Sequence, residues 1–72
     1  MVNKFKLNRY YKLHSFTTET VYYLIRIEHD RLRFISVSET TGAHGVLNFD
    51  KGWCTRNMDM VPLVMSMLRY KL

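Results

Sequence analysis

Two runs with strand periodicity lie close together in the middle of the chain and constrain its fold more than any other feature. The runs TVYYLIRI (residues 20–27) and LRFISVS (residues 32–38) are rich in β-branched and aromatic residues, which favour strands over helices. The residues between them, EHDR, include His and Asp, which tolerate the left-handed backbone conformation of tight hairpins. The pattern predicts an antiparallel hairpin whose first strand points four side chains inward: Val21, Tyr23, Ile25 and Ile27.

The alternation changes face within the second run. Leu32 and Phe34 share one face, whereas Ile35 and Val37 share the other. A change of face within a strand is typical of a bulge or a sharp bend, which lets a short sheet curl onto itself. We therefore expect a strongly bent sheet.

The N-terminal segment also alternates with the two-residue period of a half-buried strand. One side carries Phe5, Leu7, Arg9, Tyr11 and Leu13. The other side carries Lys4, Lys6, Asn8, Tyr10, Lys12 and His14. This pattern predicts a first strand that begins near Phe5 and packs its apolar side inside.

The second half of the chain is less regular. The segment ETTGAHG is expected to be a connection and VLNF a third short strand of the same sheet. A short helix is expected at residues 59–68, because Pro62 suits a first helical turn and Val61, Met65 and Leu68 recur at helical spacing. The alternation in LRYKL leaves a terminal strand as the alternative for this segment.

These elements predict a mainly β fold, a small and strongly bent antiparallel sheet or barrel of four to five strands with one short C-terminal helix. Such an architecture resembles SH3-like and OB-like modules. The chain has 72 residues, so we expect one domain spanning residues 1–72. Its hydrophobic fraction of 47% is enough for a core at that length.

Charge is concentrated at the two ends of the chain. The net charge is +5, residues 1–18 carry four cationic side chains and no acid, and residues 51–72 carry four against one acid. If the ends lie side by side, their positive field attracts phosphates or an acidic protein surface. The single cysteine, Cys54, is expected to be buried and indicates a reducing compartment, so we expect a cytoplasmic protein. The charged N-terminal segment predicts neither a signal peptide nor a membrane span.

Enzymatic and metal chemistry find little support in the sequence. His14, His29 and His44 each lie at or beside a predicted turn and lack the spacing of a zinc site, and one cysteine cannot complete one. Glu28 and Asp30 are explained as partners of neighbouring arginines across the hairpin. We expect no catalytic residues, no metal and no cofactor.

A basic and aromatic row on the first strand is the strongest functional signal: Lys4, Lys6, Tyr10, Lys12 and His14. Single-stranded nucleic-acid binders stack bases on aromatic rings and follow the phosphates with cations. The sequence therefore predicts a non-enzymatic module that contacts nucleic acid without sequence specificity. The same lysines also suit a strand that only has to remain soluble and avoid edge pairing.

A second hypothesis rests on residues that adapt to a protein partner: Trp53, Met58, Met60, Met65 and Met67. Exposed thioethers form adaptable contacts, so this segment predicts a protein-binding inhibitor or adaptor, of the type found among small phage or plasmid accessory proteins. A self-complementary surface would give a homodimer. A third possibility is a pocket that sequesters a small anionic nucleotide through Arg and Tyr side chains.

Overall fold

In a computed structural model, which describes residues 5–14, 20–38 and 42–61, five strands and one helix form the fold. The elements are β1 (Tyr10–Leu13), β2 (Thr20–Ile27), β3 (Arg31–Ser38), β4 (Gly42–Asp50), α1 (Lys51–Asn57) and β5 (Met58–Met60). The strands form one antiparallel sheet in the order β4-β3-β2-β1-β5, and the sheet is open. The mainly β antiparallel prediction is confirmed, as a sheet and not as a closed barrel.

The predicted hairpin is present as β2 and β3. Its strands pair from Thr20 opposite Ser38 to Ile27 opposite Leu32. The turn closes through the Glu28 amide, which donates to the Arg31 carbonyl oxygen at 2.9 Å. A short reversal between two β-branched runs is local information, so periodicity alone located it.

Both faces of the sheet bury apolar side chains. The helix face packs against α1, and its core comprises Phe5, Tyr11, Leu24, Leu32, Phe34, Cys54 and Met58. The opposite face, called the tyrosine face, carries a smaller core of Val21, Val37 and Val61, against which Tyr10, Tyr23 and Ile35 pack. Leu24, expected to point outward, is fully buried. The prediction of a single inner face for this strand was wrong because both faces are apolar.

The bulge that was expected within β3 is found in its two neighbouring strands, β2 and β4. Leu32 and Phe34 belong to the helix face while Ile35 and Val37 belong to the tyrosine face, which is the regular alternation of one strand with two buried faces. The register shifts instead between Leu24 and Arg26 of β2, and in β4 opposite Ser36. Each shift gives the partner strand one extra residue, as a β-bulge does.

The first strand is shorter than the alternation predicts, because a turn at Leu7 and Asn8 interrupts it. Asn8 has a φ of 64°, a left-handed conformation that Asn adopts more readily than most residues. Leu7, expected to point inward, is 49% exposed. Phe5 is nevertheless buried, and the Lys6 amide donates to the Tyr11 hydroxyl at 2.7 Å, which fixes the segment on the helix face.

The short helix lies earlier in the chain than expected. It occupies Lys51–Asn57, whereas Asp59 and Met60 belong to β5, so the predicted helical start at Asp59 was wrong. Residues 62–68 lie outside the described residues. Asp50 caps the helix, since its carboxylate accepts a hydrogen bond from the Trp53 amide at 2.9 Å. The segment GAHG, expected to be a connection, forms the first part of β4.

Candidate nucleic-acid interface

Two tyrosines form the centre of the tyrosine face. Tyr10 of β1 lies directly opposite Tyr23 of β2, and their ring centroids are 4.9 Å apart. The Asn8 side-chain amide donates to the Tyr23 hydroxyl at 2.8 Å, so the turn before β1 holds this ring in place. Burial and, to a lesser degree, Tyr23 raise the pKa of Tyr10, so the phenol is uncharged at neutral pH. The pair presents a neutral aromatic surface.

Two arginines lie opposite each other on the same face. Arg26 of β2 pairs in register with Arg33 of β3. The Arg33 Nε donates to the Asn48 Oδ1 at 3.1 Å, and among the described residues no carboxylate lies within salt-bridge distance of Arg33. The Arg26 Nε is 3.5 Å from a Glu28 carboxylate oxygen, but both side chains are well exposed, so this ion pair is weak. Like charges directly opposite destabilise a sheet.

The tyrosine and arginine pairs are neighbours. Ile35 lies opposite Tyr23, and Arg33 is two positions along β3 on the same face. Two strand positions correspond to about 6.6 Å, so the backbone positions of the two pairs are close neighbours on this face. The extra residue in β2, Ile25, brings Arg26 onto this face. Cations and an aromatic pair on one face are the chemical pattern that the sequence predicted for the first strand alone.

The end of the tyrosine face that carries Lys12, away from the two arginines, is less basic than the sequence predicts. Lys12 lies in register with Asp59 of β5, and the His14 Nε2 is 3.0 Å from an Asp59 carboxylate oxygen. The adjoining positions on the face are the buried Val21 and Val37. An acid and covered valines make this end a poorer site for a phosphate than the arginine end.

The predicted row is therefore only partly assembled. Tyr10 and Lys12 lie on the tyrosine face, and His14 adjoins it through Asp59. Lys6 is exposed but precedes the turn at Leu7 and Asn8, so it does not continue the strand. Lys4 lies outside the described residues. The sequence pattern did not place Tyr23, Arg26 and Arg33 on the same face as Tyr10; the signal that could have indicated this is the presence of apolar residues on both faces of the hairpin.

The tryptophan and methionine set is dispersed. Trp53 is exposed and stacks on Phe49, with centroids 5.5 Å apart and planes 16° apart. Met60 is exposed on β5, at the opposite edge of the sheet from β4. Met58 is fully buried in the core of the helix face, so it cannot contribute to an exposed partner surface. Met65 and Met67 lie outside the described residues.

An open groove of about 580 Å³ lies where the β2–β3 turn meets α1, and it is lined by His29, Asp30, Asp50, Lys51, Gly52, Thr55 and Arg56. Its two carboxylates offset its two permanent cations, so the groove has no strong preference for an anion. No cluster of three potential metal ligands occurs in residues 5–14, 20–38 and 42–61. Within the same ranges, no helix has the length and apolarity needed to cross a membrane.

Comparison of the chain with protein-family models, with curated protein sequences and with solved structures gives no significant match.

Proposed function

We propose that the protein is a small, non-enzymatic, cytoplasmic module that binds single-stranded nucleic acid through the tyrosine face, without sequence specificity. The observation that carries this proposal is the placement of the Tyr10–Tyr23 pair directly beside the Arg26–Arg33 pair on one face. Lys12 lies on the other side of the rings, where Asp59 opposite it offsets its charge, so the arginine pair is the main cationic part of the face. A net charge of +5 adds a general attraction for polyanions.

Each part of the face has a distinct role in such a contact. The tyrosine rings offer stacking surfaces, and a stacked base contributes about 1 to 3 kcal/mol in known complexes. Arg26 and Arg33 would bind a phosphate between them, because a guanidinium group matches the geometry of phosphate oxygens. From the Lys12 position to the Arg26 position the track is about 13 Å long, four strand positions at about 3.3 Å each.

A single strand fits this face better than a duplex. The rings of Tyr10 and Tyr23 belong to paired strands and are half-buried, so they can stack only on bases that are already unpaired. The one helix among the described residues, α1, has seven residues and is too short to fill a major groove. Stacking is tolerant of base identity, which is why we propose no sequence preference.

The test is fluorescence anisotropy with a labelled single-stranded oligonucleotide over a range of salt concentrations, comparing Arg33→Ala with the matched control Arg56→Ala. Both variants remove one positive charge from an arginine, but Arg56 is an exposed residue in the last turn of α1, away from the tyrosine face. We expect Arg33→Ala to weaken binding and to reduce the slope of log K against log salt by about 0.7, the value for one phosphate contact to a single strand. Arg56→Ala should bind nearly as the parent does.

Equal losses in the two variants would show that only net charge matters, and the proposed face would then be wrong. Absence of binding at low salt would overturn the function itself. In that case the protein-contact hypothesis remains, with exposed Trp53 as its first residue to test. Binding through Trp53 should respond little to salt and should be lost in Trp53→Ala.

A further inference from the structure

The two arginines belong to a polar row at the end of the tyrosine face. Arg26 lies in register with Arg33, and Asn48 of β4 lies in register with Arg33 on its other side. These three residues are called the arginine row. Glu28 is the first residue after β2, so the β2–β3 turn begins immediately beyond the row. A nucleic-acid strand that runs along the face from the tyrosines to the arginines therefore reaches the end of the sheet at this row.

The turn beyond the arginine row is unfavourable for a further phosphate. Residues 28–31, EHDR, carry two acids and one arginine. The carboxylates of Glu28 and Asp30 are exposed, and Arg31 lies in register with a third acid, Asp50. The next phosphate of a strand that continued past the row would meet these carboxylates. The described cationic side chains therefore suit a strand that ends at the row better than one that passes over it.

The donors of the row suit a terminal phosphate better than an internal one. The Arg33 Nε donates to the Asn48 Oδ1 at 3.1 Å, which orients the guanidinium and leaves its two Nη groups for a ligand. An internal phosphate of a strand carries one negative charge. A phosphate monoester carries about −1.5 to −2 at pH 7 and presents three acceptor oxygens. Two guanidinium groups on adjacent strands match the monoester more closely in charge and in number of donors.

We infer that the arginine row binds the terminal phosphate of a single strand, whose terminal base stacks on Tyr10 and Tyr23. This inference rests on the proposed function and specifies the class of strand as one that ends in a phosphate monoester. The tyrosine positions and the arginine positions are two residues apart along the strands, about 6.6 Å, so one nucleotide supplies both groups. A free nucleoside monophosphate presents the same base and phosphate, but a net charge of +5 attracts a polyanion more strongly.

Fluorescence anisotropy with one internally labelled sequence in three forms measures the preference: a 5′-phosphate, a 3′-phosphate, or hydroxyl groups at both ends. We expect one phosphorylated form to bind roughly tenfold more tightly than the unphosphorylated form, the low end for hydrogen bonds to charged groups. This ratio should fall below about twofold in Arg26→Gln and in Arg33→Gln, because each variant removes half of the guanidinium pair. Arg56→Gln, on α1, removes the same charge and should keep the ratio.

The ratio of two affinities measured on the same variant is insensitive to a general loss of charge or stability. Equal binding of the three forms by the parent would overturn the inference and leave the proposed function standing. Loss of the ratio in Arg56→Gln as well would also overturn it, since net charge alone would then explain the preference. Competition by a nucleoside monophosphate as effective as that by the phosphorylated strand would replace the strand end with a free nucleotide. Absence of binding to any form at low salt would overturn function and inference together.

Discussion

Replacing Arg26 with Gln should stabilise the folded protein while weakening the proposed binding to nucleic acid. Arg26 and Arg33 are directly opposite in the β2–β3 ladder, where Cβ atoms are about 4.5 to 5.5 Å apart. Like charges at directly opposite positions are destabilising, and cross-strand pairs are measured at about 0.2 to 1 kcal/mol. The Arg26–Glu28 ion pair that is lost contributes close to nothing, because the two side chains are 61% and 41% exposed.

Thermal unfolding followed by circular dichroism measures the gain. For a domain of this size about 0.2 to 1 kcal/mol corresponds to a rise in Tm of about 1 to 8 °C. Salt should remove most of the difference, since exposed charges are screened over about 3 Å at 1 M ionic strength. Arg56→Gln is the control with the same change in net charge. A fall in Tm for Arg26→Gln, or an equal rise in both variants, would refute the repulsion between Arg26 and Arg33.

Two further predictions concern the core and the half-buried Tyr10. Phe34→Ala should cost about 3 to 5 kcal/mol, a large part of the roughly 4 to 11 kcal/mol expected for 72 residues, because Phe34 is fully buried among Tyr11, Tyr22 and Phe49. Its urea midpoint should fall well below that of the parent, whereas Val46→Ala should change the midpoint little. Since burial raises the pKa of Tyr10 above that of the unfolded chain, stability should be retained below about pH 10 and lost as pH rises further, and Tyr10→Phe should flatten that loss in urea midpoints; an unchanged slope would contradict it.

Local patterns predicted the elements whose causes are local. The hairpin of β2 and β3 depends on two β-branched runs and a short turn, all of which the sequence displays. The antiparallel arrangement follows from such patterns as well, whereas β5 includes Asp59 and Met60, where a helix was expected. What the alternation could not predict is which face is buried, because in this sheet Leu24 and Val21 are both fully covered from opposite sides.

The elements that were misplaced depend on single residues. Asn8 fits an alternating pattern, yet its left-handed backbone ends the extended conformation before Tyr10. The helix has seven residues, too few to show helical periodicity. Its cap, Asp50, is followed by Lys51 and Gly52, a sequence that is also typical of a turn. A buried Cys54 then anchors this short helix on the sheet. Tertiary contacts, not propensity, determine such elements.

The candidate site depends on one extra residue in β2. If β2 continued past Leu24 without a bulge at Ile25, Arg26 would lie opposite Leu32 on the helix face and Ile27 would lie on the tyrosine face. With it, Ile27 lies opposite Leu32 and packs on the core, and Arg26 lies opposite Arg33. Fully burying an Ile side chain stabilises by about 1.5 to 3 kcal/mol, so even the partial burial of Ile27 is comparable with the cost of placing two arginines opposite each other.

The bulge thus explains where residue 26 lies, but not why it is charged. Glutamine or threonine at this position would keep the same register, bury the same Ile27 and avoid the repulsion with Arg33. An anion between the two guanidinium groups converts that repulsion into two charge-assisted hydrogen bonds. A phosphate of a strand whose bases stack on Tyr10 and Tyr23 would lie in that position, which is why the arginine pair and the tyrosine pair are interpreted as parts of one binding surface.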